Sequence, residues 1–114
     1  MKTICQTNLL LLQKMSIAKE TTTIAKEVRS KINACISANN EDDSKAHLCF
    51  ELFELLLTWP GRKLMLNDFK AYEYIARKVD SILEDDELDD YEDLQDLADD
   101  LYVVMNNIKL SFKE

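Results

Sequence analysis

The sequence predicts an all-α fold: a single-domain bundle of four to five helices, spanning residues 1–114, that ends in an antiparallel C-terminal helix pair. Three observations carry this expectation. The 114 residues include one Gly and one Pro, adjacent at Pro60-Gly61, whereas strand-rich folds need turn residues roughly every 8–12 positions. Apolar residues recur at intervals of three and four, the period of a helix face. They make up 46% of the chain, enough for one core in a domain that buries about two-thirds of its unfolded surface.

Taken in order, the first helix is expected over residues 3–15, where Ile4, Leu9, Leu10, Leu12 and Met15 form a broad apolar face. A break follows over 16–23, because the consecutive threonines Thr21, Thr22 and Thr23 are stiff at χ1 and poor helix formers. The second helix, about 24–36, places Ile24, Val28, Ile32 and Cys35 or Ile36 on one stripe and Lys26, Arg29, Ser30 and Lys31 off it. The third begins near Glu41–Ser44, with Asn40, Asp42 or Asp43 as cap. Its apolar residues lie on both sides, Phe50, Phe53 and Leu56 opposite Leu48, Leu52 and Leu55, so it is expected to be central. Trp59-Pro60-Gly61 is expected to stop it, with Trp59 packed beneath the turn.

The fourth helix, about 67–83, is capped by Asn67 or Asp68. Phe69, Tyr72, Ile75, Ala76, Val79, Ile82 and Leu83 follow a core rhythm. The fifth, about 90–110, repeats that rhythm with Leu94, Leu97, Ala98, Leu101, Val104, Met105 and Ile108. The short link between them makes the two antiparallel neighbours. The expected core is Phe50, Phe53, Leu56, Tyr72, Ile75, Val79, Leu97, Leu101 and Met105.

The charge is uneven. The chain carries a formal −8, yet residues 84–100 (EDDELDDYEDLQDLADD) hold eleven of its 22 acids and none of its 14 bases, so the remainder is +3. Direct binding to nucleic acid is disfavoured, because affinity there comes from neutralising phosphates. A basic protein partner is favoured instead. Asp85, Asp86, Asp89, Asp90, Asp93 and Asp96 are expected to face solvent as the partner-binding surface, with Tyr91, the lone aromatic of the run, as an anchor or as a staple of the helix start.

Other chemistry is weakly supported. One Gly excludes phosphate-cradling glycine loops. Asp85, Glu87, Asp89, Tyr91, Asp93 and Asp96 fall at offsets 1, 3, 5, 7, 9 and 12 of a calcium loop, but Asp90 stands where Gly is needed and Asp96 where a bidentate Glu is needed. The three cysteines (Cys5, Cys35, Cys49) and single histidine (His47) contain no Cys-x-x-Cys, so neither a zinc site nor another cofactor is expected. His47 and Cys49, two apart on a helix, point to different faces. Glu51 and Glu54 share a face and read as the polar strip of the central helix. Lys2 followed by Leu9-Leu10-Leu11-Leu12 imitates a secretory signal, but the apolar run is only four residues long. No stretch reaches the ~20 apolar residues of a membrane span, so a reduced, cytoplasmic protein is expected.

Residues 19–29, Lys19-Glu20-Thr21 through Ile24-Ala25-Lys26-Glu27-Val28-Arg29, resemble a series in the amino-terminal helical domain of transcription elongation factor S-II. Ala25 stands for that family's Gly, and Trp59 comes later than its Trp, so no membership follows. In size, acidity and helix content the chain is also similar to bacterial immunity proteins and antitoxins, which block basic toxins, although no motif carries that likeness. The functional expectation is a non-enzymatic binding protein or inhibitor that docks an acidic helical surface on a basic partner. The alternative is a helical scaffold or regulatory module that binds a peptide through an apolar groove near Leu9–Met15 or Trp59, with a homodimer through the first helix in the same class.

Overall fold

A computed structural model describes residues 23–39 and 41–113. Among these residues the structure is all-α, with no strand: α1 (23–37), α2 (Ser44–Leu57), α3 (Trp59–Asn67), α4 (Phe69–Leu83) and α5 (Glu92–Ser111). Two single 3-10 turns, Glu41–Asp43 and Asp86–Leu88, precede α2 and α5. The expected helix over 3–15, and residues 16–22 of the expected break, lie outside the described residues. No helix among those described is long and apolar enough to cross a membrane.

The core forms where the apolar stripes meet. Val28, Ile32 and Cys35 of α1 face Cys49, Leu52, Phe53 and Leu56 of α2, and α5 contributes Leu94, Ala98, Leu101, Met105 and Ile108. Each fully buried Leu, Ile or Phe contributes roughly 1.5–3 kcal/mol. No polar or charged residue among those described is buried as a whole. Helix α2 is central, as its two-sided apolar pattern predicts: it packs on α5 and α3, and Lys31 of α1 reaches Glu51 at 3.3 Å. Phe50 and Leu97, expected to be core, are half-buried at its edge.

The chain departs from expectation at Trp59-Pro60-Gly61. Helix α2 does stop at Leu57, but the same residues open a further helix, α3. Thr58 is its N-cap, its Oγ1 accepting from the Gly61 N–H at 3.3 Å, and Pro60 sits in the first turn, where its missing N–H costs nothing. Gly61 is buried against the end of α2. A Cβ there would lie 2.9 Å from the Leu56 Cα and closer still to the Leu55 carbonyl oxygen, so glycine is required for space rather than for a turn. Trp59 is not packed beneath the chain. It is 61% exposed, with the Lys63 ammonium 5.4 Å from its ring centroid.

Asp68 caps α4, accepting from the backbone N–H groups of Lys70 and Ala71 at 3.0 and 3.4 Å. The antiparallel arrangement of α4 and α5 is marked at two levels. Tyr102 donates to Asp80 at 2.6 Å, and Phe112 at the end of α5 meets Phe69 edge-on, with ring centroids 5.3 Å apart.

Candidate functional site: an acidic cleft at the start of the last helix

The acidic segment is anchored at defined points. Leu88, its first apolar residue, is fully buried, and its carbonyl accepts from Gln95 Nε2 at 3.0 Å. Asp85 caps the 3-10 turn by accepting from the Glu87 N–H at 3.0 Å. Its other carboxylate oxygen takes a 2.6 Å ion pair from Lys45 of α2. The Lys45 ammonium and the Glu87 N–H hold the Asp85 carboxyl below its ordinary range, and the same bond raises the Lys45 pKa. The expectation that Asp85 is an open, solvent-facing carboxylate is therefore corrected: it stabilises the fold by joining α2 to the acidic segment. Among the described residues, the other ten acids of 84–100 have no ion-pair partner, and Asp86, Asp89, Asp90, Asp93 and Asp96 are exposed.

Tyr91 is half-buried, and its hydroxyl donates to Asp43 Oδ1. This bond diverts Asp43 from its expected capping role. Asp43 stands at the N-cap of α2 without a side-chain cap bond. Both Asp42 and Asp43 adopt the left-handed conformation, with φ of 52° and 62°, which Asp tolerates better than most residues. The tyrosine thus joins the two helix starts.

Between these starts lies a cleft of about 630 Å³. One wall is Asp43, Ala46, His47 and Phe50; the other is Asp90, Tyr91, Glu92, Asp93 and Leu94. Four carboxylates line it, and no Lys or Arg does.

The chain matches no protein-family model, no curated protein and no solved structure.

The ends of α2 and α5 that open on the cleft are N-termini, each equivalent to roughly +0.5 charge. Two of them offset about one of the four carboxylates, leaving a field of roughly −3. Helix-dipole stabilisation therefore accounts for a minority of the acidity.

The cleft unites three of the residues singled out in the sequence, Asp90, Tyr91 and Asp93, with six that were not assigned to a binding surface: Asp43, Ala46, His47, Phe50, Glu92 and Leu94. Asp86, Asp89 and Asp96 lie on the same exposed segment but do not line it. The signal for Asp43 and His47 was present as the acidic cap region before α2; its proximity to Tyr91, 48 residues later, has no local signature. Helix α5 begins at Glu92, so Asp93 and Asp96 are helical, and the offsets required of a calcium loop are not available as loop. Among the described residues, no cluster of His, Cys, Asp and Glu is placed to hold a metal. His47 is exposed and Cys49 buried. Cys49 instead pairs with Cys35, and that hydrogen bond together with burial pushes the Cys35 thiol well up.

Proposed function

We propose that this protein is a non-enzymatic binding protein or inhibitor that docks the exposed acids of 84–100 on a basic protein partner. The observation that carries the reading is the field at the start of α5: four carboxylates around one cleft, with no Lys or Arg lining it. Such a surface steers a basic partner and raises the association rate more than it adds affinity. An inhibitor of a basic toxin or nuclease is one concrete form, in which the carboxylates would occupy positions meant for substrate phosphates.

The test is the association rate of a partner captured at low salt, followed across a salt series. The rate should fall steeply as the Debye length shrinks from ~30 Å at 0.01 M to ~8 Å at 0.15 M. The triple reversal Asp89→Lys, Asp90→Lys, Asp93→Lys should slow association while the far-ultraviolet circular dichroism stays unchanged, because all three side chains are exposed. Unchanged low-salt binding by that variant would refute the proposal.

One observation favours the apolar reading instead: Trp59, Phe69 and Leu110 are 61%, 50% and 50% exposed. Binding that is insensitive to salt and lost on Trp59→Ser would select it.

A further inference from the structure

We propose that the cleft between the starts of α2 and α5 is an arginine-selective pocket that receives one guanidinium-bearing side chain of the basic partner. This inference rests on the acidic-surface reading and goes beyond it, because a steering field alone has no preference for one kind of basic side chain.

The argument begins with the composition of the cleft. Its volume of about 630 Å³ falls within the roughly 300–1,000 Å³ of ligand pockets. Its lining is mixed. Half-buried Phe50, above a floor formed by the buried Ala46 and Leu94, supplies apolar surface, Tyr91 supplies an aromatic ring, and Asp90 and Asp93 supply carboxylates. A strongly hydrated ammonium gains from the carboxylates but little from the apolar surface. A guanidinium is planar and weakly hydrated, stacks on aromatic faces and bonds carboxylates through two N–H groups at once. Its aliphatic stem covers apolar surface as well. A cleft with aromatic side chains in its walls and carboxylates around it thus complements arginine better than lysine.

The cleft is also held in shape before any ligand arrives. The Tyr91–Asp43 bond ties one wall to the other. Leu88, fully buried, and the Gln95 bond to its carbonyl fix the chain entering α5. A preformed site spends less of its interaction energy on ordering.

The experiment uses two capped hexapeptides, hexa-arginine and hexa-lysine, titrated at low and matched ionic strength into isotope-labelled protein and followed by amide NMR. Two variants of equal charge change are compared. One neutralises the cleft (Asp90→Asn, Glu92→Gln, Asp93→Asn); the other neutralises the same segment outside it (Asp86→Asn, Asp89→Asn, Asp96→Asn). All six side chains are exposed, and circular dichroism checks that both variants fold.

Hexa-arginine is expected to bind about tenfold tighter than hexa-lysine, the gain of one bidentate, stacked contact. It should shift the amides of His47, Phe50 and Leu94, and the cleft variant should lose more affinity than the outer variant. If both peptides bind equally and both variants lose equally, the pocket is overturned and the acidic-surface reading stands. If neither peptide binds the native protein at low salt, both are overturned.

Discussion

Replacing Gly61 with Ala tests the least expected feature of the fold, the helix that begins where a stop was predicted. On helix propensity alone the change should stabilise, since Gly in a helix interior is worse than Ala by roughly 0.5–1 kcal/mol. Gly61 has no positive φ, so Ala loses nothing in backbone conformation. The opposing term is steric. The new Cβ would stand 2.9 Å from the Leu56 Cα, where ordinary contact begins at 3.4 Å, and it would overlap the Leu55 carbonyl oxygen more severely. Both are backbone atoms of α2, so no side chain can swing aside, and the corner between α2 and α3 must open by about half an ångström or more. Overpacking of this kind costs about 1–3 kcal/mol, which exceeds the propensity gain. The net loss of about 1–2 kcal/mol corresponds to a fall in Tm of roughly 4–8 °C for each kcal/mol. Thermal and urea melts followed at 222 nm would measure it. A Tm equal to or above that of the native protein would show that α3 does not press on α2 as described.

Three further substitutions, with Asn67→Ala as a control, probe the supports of the acidic segment and of α4. Leu88→Ala should cost about 2–5 kcal/mol in urea unfolding, as expected of a fully buried leucine; a loss below 1 kcal/mol would mean that the acidic link is not anchored there. Asp68→Ala removes the cap of α4 and should cost about 0.5–2 kcal/mol, whereas the neighbouring Asn67→Ala should be nearly neutral by the same melts. Lys45→Met removes the partner of Asp85 and should destabilise at neutral pH in a pH-dependent way. The folded pKa of Asp85 is depressed, so the contribution of the pair is present above the unfolded carboxylate pKa of about 3.9 and is lost as pH falls through the folded value. The difference between native and variant urea midpoints should therefore be constant from about pH 5 to 7 and shrink below about pH 4; a difference that persists at pH 2 would show that the loss arises from packing of the lysine stem.

Where an apolar stripe is long, sequence periodicity sufficed. Val28, Ile32 and Cys35 of α1, and Leu94, Ala98, Leu101, Met105 and Ile108 of α5, emerged buried as their spacing predicts, while Leu97 and Val104 of the same stripe are half-buried. Asp68 was legible as a cap because an Asp directly before a periodic run has one obvious backbone use. Helix α3 was not legible, because Pro-Gly after a helix reads as an end, while Pro in the first turn of a new helix has the same local sequence. Only the packing of Gly61 against Leu55 and Leu56 separates the two. The exposure of Phe69 was hidden for a related reason. Its place on the α4 stripe was right, but the ring lies at the first turn, half exposed, and meets Phe112.

The acidic site shows a different limit. The density of carboxylates over 84–100 was plain from composition, but which of them are committed to the fold is a question about distant partners. Lys45 is 40 residues from Asp85 and Asp43 is 48 from Tyr91, and nothing in the spacing of either pair announces the contact. These two contacts nevertheless divide the segment by role. Asp85 has its charge matched, and Tyr91 ties the helix starts together. The seven exposed aspartates, Asp86, Asp89, Asp90, Asp93, Asp96, Asp99 and Asp100, add like charge without an ion-pair partner among the described residues. Mutual repulsion alone would favour spreading these residues apart. They are instead carried on a segment fixed at Leu88, Tyr91 and Gln95, so part of the packing energy of the bundle offsets that repulsion. A basic partner would relieve it. Binding should therefore raise the melting temperature of the native protein by more than that of the Asp89→Lys, Asp90→Lys, Asp93→Lys variant, in which the repulsion has already been reduced.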